Sequence, residues 1–170
     1  MSESGKKLIS VIIATYKRPQ SLRTAINSIL ACTVDKNFDY ELIVADNNSQ
    51  DETENVFKEM MPGSNGRLKY VFEARQGKGF ALNTAIAQSR GNYIAMTDDD
   101  CLVEQGWLVH ITQNMEKYKV DILCGKVIPV ARWQGHWMVH GGTFHGTGAD
   151  RKRGFLCVLH QRCEWSARPA

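Results

Sequence analysis

The sequence contains little proline and cysteine, and it has no long apolar run. Its 170 residues include 4 prolines and 5 cysteines. The cysteines are scattered and odd in number, so we expect no disulfide framework and a reducing compartment such as the cytosol. No apolar stretch approaches the roughly 20 residues of a membrane span, and the polar N-terminus lacks the apolar segment of a secretory signal. These absences favour a cytoplasmic globular protein.

An excess of charge of one sign is also missing from most of the chain. Residues 151–170 have a net charge of +4, whereas residues 1–150 sum to −1. A nearly neutral body gives little support to nucleic-acid binding. We expect the basic tail to be a solvated end, and the alternative is contact with the anionic inner face of a membrane.

Short apolar runs alternate with segments of helical spacing along most of the chain. The patterns predict strands over 8–14, 40–45, 68–72, 92–97 and 121–127, and helices over 21–32, 51–60, 77–90 and 107–118. This alternation, with short connections, predicts an α/β protein with a Rossmann-like, mostly parallel sheet and helices on both faces. The pattern changes after Pro129, so we predict a domain over 1–130 and a partial acceptor region or irregular tail over 131–170.

Polar residues directly follow three of the predicted strands. They form the clusters Ala14-Thr15-Tyr16, Asp46-Asn47-Asn48 and Asp98-Asp99-Asp100. Ligands of open α/β sheets bind beyond the carboxyl ends of the strands, so we expect the clusters to meet in one site. Asp46 is suited to accept hydrogen bonds from a base edge or sugar hydroxyls, and its alternative role is an Asx-turn with its own backbone.

The three consecutive aspartates need a nearby cation. In an extended strand, Asp98 and Asp100 would point to the same side, about 7 Å apart. Carboxylates this close repel each other. Their oxygens suit Mg²⁺ or Mn²⁺, which would keep coordination positions open for the phosphate oxygens of a substrate. The alternative is a solvated acidic turn that caps the next helix.

Two further clusters give weaker signals. The segment Gln76-Gly77-Lys78-Gly79 precedes a helix and is suited to hold a phosphate, although it lacks the spacing of a P-loop. His136, His140 and His145 lie close together in sequence, but without a CxxC pair or an HExxH motif they do not favour zinc. One of these histidines could instead complete the metal shell of the aspartates.

Four segments occur in a characteristic order along residues 8–130. They are SVIIATYKRPQSLRTAINSIL, ELIVADNNSQDET, GKGFALNTAIAQSRGNYIAMTDDD and GWL. Together they resemble the family 2 inverting glycosyltransferases of the GT-A fold. The resemblance implies metal-dependent transfer, with Mn²⁺ or Mg²⁺, of a sugar from a nucleotide-diphosphate sugar, and we expect a UDP-sugar. The acceptor hydroxyl would belong to a saccharide, a lipid-linked molecule or another compound, and the enzyme could form a homodimer.

The resemblance also implies roles for individual residues. The predicted donor-binding residues are Ala14, Thr15, Tyr16, Arg18, Asp46, Lys78, Asp98 and Asp99. Among them, residues 15–16 would line the nucleotide pocket and Asp46 would meet the base. Asp98 and Asp99 would lie near the ribose and the sugar. Asp100, together with Asp98, would bind the divalent metal.

The C-terminal part departs from the family pattern. Residues 141–170 contain only two acids, Asp150 and Glu164, so Asp150 is the candidate for the base that an inverting transfer needs. We therefore expect the nucleotide-sugar-binding part of a truncated or frame-shifted enzyme. The main alternative is a catalytically incomplete domain that only binds nucleotide-sugar. A nucleotidyltransferase is less favoured, because ATYKRPQ is not a glycine-rich basic loop.

Overall fold

Strands and helices alternate along the chain, as the sequence predicts. The computed structural model describes residues 6–129, 137–140 and 155–160. The strands in these ranges are β1 Lys7–Thr15, β2 Phe38–Asp46, β3 Leu68–Phe72, β4 Tyr93–Asp98, β5 Cys101–Val103, β6 Ile122–Pro129, β7 Trp137–His140 and β8 Phe155–His160. The helices are α1 Pro19–Leu30, α2 Thr53–Met60, α3 Lys78–Ala87 and α4 Trp107–Tyr118, with a short 3-10 helix at Pro62–Ser64. None of the described helices is long and apolar enough to cross a bilayer.

All the described strands belong to one sheet. Its strand order is β3-β2-β1-β4-β8-β6-β7-β5. Strand β1 is parallel to β2 and β4, β2 is parallel to β3, and β8 is antiparallel to both of its neighbours. The predicted α/β class with a mostly parallel sheet is confirmed. Strand β8 comes from the predicted tail, so the sheet extends across the boundary predicted near residue 130.

The central strands are continuously apolar because both faces of the sheet are covered. Alternate residues of β1, such as Val11 and Ile13, pack with α1, α2 and α4 in the larger core cluster. Ile12 points to the opposite face, where it packs with Ala81 and Ala85 of α3. Strands that are buried on both faces lack the apolar-polar alternation of a half-exposed sheet.

The register of the central strands gathers their carboxyl ends at one edge. Thr15 of β1 lies opposite Asp46 of β2, and Ala14 lies opposite Asp98 of β4. The expectation that the three polar clusters meet at one edge is confirmed.

A buried carboxylate, Glu41 of β2, joins several segments of the fold. It accepts hydrogen bonds from the Ser10 hydroxyl at 2.7 Å and from the Arg90 backbone N–H at 2.8 Å. The Arg90 guanidinium lies 3.0 Å from Glu41 Oε2, and Lys69 Nζ lies 3.3 Å from it. Burial alone would raise the pKa of Glu41, but these hydrogen bonds outweigh burial and lower it.

Replacing Glu41 by glutamine is expected to lower the free energy of unfolding by about 1–3 kcal/mol at pH 7. The pKa of Glu41 is below its ordinary value of 4.5, so its stabilising contribution is present above pH 4.5 and is lost as the pH falls. Urea unfolding of wild type and Glu41→Gln should therefore show a difference in the free energy of unfolding that becomes smaller as the pH falls below 4.5. Glu59→Gln is the control, because it removes an exposed pair with Arg23. Equal losses in the two variants would contradict this role of Glu41.

Candidate functional site

An open cavity of about 600 Å³ lies at the carboxyl edge of β1, β2 and β4. Its lining residues come from the ends of β1 and β4, from the loops that follow β1, β2 and β4, and from the segment that begins α3. They are Ala14, Thr15, Tyr16, Arg18, Asn47, Gln76, Gly77, Lys78, Asp98, Asp99 and Asp100. The cavity thus brings together all the predicted donor and metal residues except Asp46.

The three aspartates do not continue the extended strand. Strand β4 ends at Asp98 and the chain turns at Asp99 and Asp100, so the extended geometry assumed for these residues is wrong, although Asp98 and Asp100 both line the cavity. The Asp98 side chain is 53% exposed and that of Asp100 is 27% exposed, whereas that of Asp99 is only 8% exposed. The Thr15 hydroxyl donates to Asp99 Oδ2 at 2.7 Å. Asp99 is therefore held within the protein, and the other two carboxylates remain open to ligands.

Two protein cations lie against these carboxylates. Lys78 Nζ contacts Asp98 Oδ1. One guanidinium nitrogen of Arg18 lies 3.3 Å from Asp99 Oδ1 and 3.0 Å from Asp100 Oδ2. The protein therefore supplies part of the positive charge that the acidic run needs, and one negative charge among these five groups remains unbalanced.

The buried carboxylate differs electrostatically from its neighbours. Burial raises the pKa of Asp99, and the hydrogen bond from Thr15 and the charge of Arg18 partly oppose that effect. The nearby charges of Asp100 and Asp98 raise it further. Asp99 is consequently a poorer candidate for metal binding than the two more exposed carboxylates.

The donor groups fit an open coordination site for a hard divalent cation. Within the described ranges, no group of three or more His, Cys, Asp or Glu side chains is arranged to hold a metal ion. Asp98 and Asp100 can therefore supply only part of a coordination shell. Mg²⁺ and similar ions commonly bind one or two carboxylates and complete the shell with water and substrate phosphates.

Asp46 reaches the same edge but points into the protein. It is 3% exposed, and its Oδ1 accepts the Ser49 backbone N–H at 3.0 Å. Its Oδ2 accepts the Tyr70 hydroxyl at 2.6 Å. Two effects raise the pKa of Tyr70: burial is the larger, and this hydrogen bond is the next. The contact with Ser49 resembles the local turn that was the alternative role for Asp46.

The donor site predicted from sequence omits three lining residues, Asn47, Gln76 and Gly77. Asn47 is 4% exposed, and the Gln76 side-chain amide donates to its backbone oxygen at 2.9 Å. All three residues were in segments already marked by the sequence, the cluster at the end of β2 and the glycine-containing segment before α3. Other predicted residues, Asp150, His136 and His145, lie outside the described residues.

The family model described as glycosyl transferase family 2 matches residues 10–163 of the chain. The chain belongs to that family. The match extends beyond residue 130, so the family resemblance continues past the range 8–130 that the sequence motifs indicated.

Named relatives of this family 2 protein come from archaea and bacteria. Glycosyltransferase AglE of Haloferax volcanii is 31% identical over 119 residues, which cover 70% of this chain and 39% of AglE. Poly(ribitol-phosphate) beta-N-acetylglucosaminyltransferase TarP of Staphylococcus aureus is 30% identical over 122 residues, covering 71% of this chain and 36% of TarP. The chain thus spans about two fifths of the length of these relatives.

Solved structures show that the family 2 chain has the GT-A fold. The mannosyltransferase PcManGT from Pyrobaculum calidifontis, in complex with GDP-Man and Mn²⁺, matches with a TM-score of 0.63 and 24% identity. That match covers 70% of this chain and 35% of PcManGT. Residues 1–349 of S. aureus TarS in complex with UDP-GlcNAc match with a TM-score of 0.60 and 24% identity, covering 68% of this chain and 33% of that TarS fragment.

Proposed function

We propose that the chain forms the donor-binding part of an inverting glycosyltransferase that uses a nucleotide-diphosphate sugar and a divalent cation. A UDP-sugar is the expected donor. The acceptor is a hydroxyl of a saccharide, a lipid-linked molecule or another compound. The proposed location is the cytoplasm, and contact with the inner face of a membrane and homodimer formation remain predictions from sequence.

The observation that carries this proposal is the charge arrangement of the cavity. Two carboxylates, Asp98 and Asp100, face solvent beside two cations, Arg18 and Lys78. A nucleotide diphosphate carries several negative charges, so it needs positive partners, and a divalent ion between phosphate and carboxylate supplies the remainder. A cavity of about 600 Å³ is within the range of small-molecule and cofactor sites.

The lining residues then take distinct roles. Thr15 and Tyr16 line the nucleotide pocket, while Asp98 and Asp99 lie near the ribose and the sugar. Asp46 contacts the base only after one of its carboxylate oxygens exchanges its present partner, Ser49 or Tyr70. These assignments are part of the proposal and are those that the family resemblance implies.

Asp100, with Asp98, would hold Mn²⁺ or Mg²⁺. When bound, such an ion acts as a Lewis acid that stabilises the negative charge of a leaving diphosphate. Arg18 and Lys78 would orient the phosphates from the protein side, since their charged groups already lie at the carboxylates. The solved complexes of PcManGT with GDP-Man and Mn²⁺ and of TarS with UDP-GlcNAc support a donor site of this kind.

A catalytically incomplete domain that only binds nucleotide-sugar is the second candidate. An inverting transfer needs a base that takes a proton from the acceptor hydroxyl. In the described part of the chain, the only acids that line the cavity are the three consecutive aspartates assigned to the donor and the metal. The proposed base, Asp150, lies outside the described residues, so donor binding has more support than transfer.

Titration calorimetry of the full chain with UDP and GDP, each with and without Mn²⁺, tests the proposal. We expect UDP to bind more tightly when Mn²⁺ is present. In a separate activity assay, we expect the protein to release UDP from at least one of a panel of UDP-sugars. Binding without release from any UDP-sugar would support the incomplete domain. Failure of both nucleotides to bind with Mn²⁺ or Mg²⁺ would overturn the proposed function.

A further inference from the structure

The side chain of Asn47 holds the turn that leads into α3. Its Oδ1 accepts the Gly77 backbone N–H at 2.7 Å, and its Nδ2 donates to the Arg75 carbonyl at 2.6 Å. The same Nδ2 lies 3.4 Å from the Glu73 carbonyl. One buried amide therefore joins the end of β2 to three residues of a segment that follows β3.

The turn held by Asn47 is conformationally demanding. Gly77 has a φ of +136°, in a backbone region that residues other than glycine rarely adopt. A second contact also stabilises the turn, because the Glu73 carboxylate accepts two hydrogen bonds from the Arg75 guanidinium, both at 2.8 Å. The backbone is thus fixed on both sides immediately before helix α3 begins.

Lys78, the next residue, carries the charge that reaches the cavity. It is the first residue of α3, and its Nζ contacts Asp98 Oδ1. The lysine stem is flexible and the side chain is 59% exposed, so the contact with Asp98 and the fixed backbone at residue 78 together limit where Nζ lies. A continuous series of contacts therefore runs from Asn47 through Gly77 to Lys78 and the cavity.

We propose that Asn47 is a positioning residue that sets the place of Lys78 for binding the diphosphate of the donor. This inference rests on the proposed function. Asparagine suits the role because its amide donates and accepts at the same time, whereas a carboxylate only accepts. Serine is too short to reach both Gly77 and Arg75. Loss of either hydrogen bond frees the turn and leaves a backbone polar group without its partner.

The first test compares Asn47→Ser with Asn48→Ser in the full chain. Neither change adds charge near a phosphate. The Asn48 side chain makes a weak 3.4 Å contact with the Ala74 carbonyl and accepts one exposed hydrogen bond from the Gln50 side chain at 3.0 Å, and neither contact involves Gly77 or Arg75. With Mn²⁺ present, we expect Asn47→Ser to weaken UDP binding by about 10-fold, the equivalent of one or two lost hydrogen bonds. Asn48→Ser should stay within about twofold of wild type.

A double-mutant cycle with Lys78→Met separates positioning from general damage. If Asn47 acts through Lys78, adding Asn47→Ser to Lys78→Met should weaken UDP binding by less than about twofold further. A structural defect unrelated to Lys78 would instead give the full loss again in that background. If Asn47→Ser does not fold, Asn47→Asp takes its place, because aspartate keeps the acceptor for the Gly77 N–H. Asn48→Asp is then the control.

The outcomes distinguish this inference from the proposed function. If wild type binds neither UDP nor GDP with Mn²⁺ or Mg²⁺, the proposed function fails and the role of Asn47 fails with it. If wild type binds UDP, and Asn47→Ser binds UDP as tightly as Asn48→Ser does, only the role of Asn47 is overturned. Full additivity in the cycle also overturns it.

Discussion

Replacing Asp100 by asparagine is expected to remove the Mn²⁺ dependence of UDP binding and to weaken UDP affinity by about 100-fold in the presence of the ion. The change keeps the shape of the side chain but removes a charge that a hard divalent ion needs. Asp100 is the natural position for this effect, because its carboxylate is partly exposed at the cavity while that of Asp99 is buried against Thr15. Calorimetry with and without Mn²⁺ measures the loss directly.

The matched control is Asp121→Asn. Asp121 is exposed and lines a different cavity, beside Lys7 and Glu116, so its removal should leave nucleotide affinity unchanged. Thermal unfolding of Asp100→Asn should stay close to that of wild type, because its contact with Arg18 is partly exposed. Unchanged UDP affinity in a folded Asp100→Asn protein would contradict the metal-binding role.

Replacing Gly91 by alanine is expected to lower the free energy of unfolding by about 3 kcal/mol or more. A Cβ atom at this position would lie 2.4 Å from the Ser10 backbone nitrogen and 2.7 Å from the Tyr93 carbonyl oxygen. Both are main-chain atoms of central strands, so they cannot move aside without disturbing the sheet. The clash also reaches Ser10 Oγ, which accepts the Gly91 N–H and donates to Glu41.

Gly79→Ala gives the matched control for that substitution. A Cβ atom at Gly79 would meet nothing within 4 Å, and the residue lies within α3. Alanine is favoured over glycine in a helix, so this variant should gain about 0.5–1 kcal/mol. Urea unfolding of both variants measures the contrast. A loss below about 1 kcal/mol for Gly91→Ala would contradict the close approach seen here.

The central sheet could be predicted because its strands are marked by local patterns. Strands β1, β2 and β4 are short apolar runs that end in polar residues, and β3, Leu68–Phe72, has the predicted bounds. Strand β5, Cys101–Val103, could not be predicted because it has only three residues after an acidic turn. Strand β8 contains an apolar run, but its position beside β4 is set by tertiary pairing that no local pattern encodes.

The membership of the site was largely predictable, but the orientation of its side chains was not. Topology alone brings the strand ends together, which accounts for the presence of Thr15 and the three consecutive aspartates in the site. The inward direction of Asp46 depends on the Tyr70 hydroxyl, a residue of another strand. The contacts of Arg18 with Asp99 and Asp100 likewise join residues far apart in sequence. Such contacts follow from the folded geometry and leave no spacing signature.

The placement of β8 has a consequence for how the protein is made. Strand β4 pairs on one side with β1, which is synthesised early, and on the other with Phe155–His160, which leave the ribosome much later. Until those residues emerge, the strand that ends in Asp98 presents an open edge to chaperones and to other nascent chains. Final closure of the sheet must wait for a long-range contact, which slows the last stage of folding.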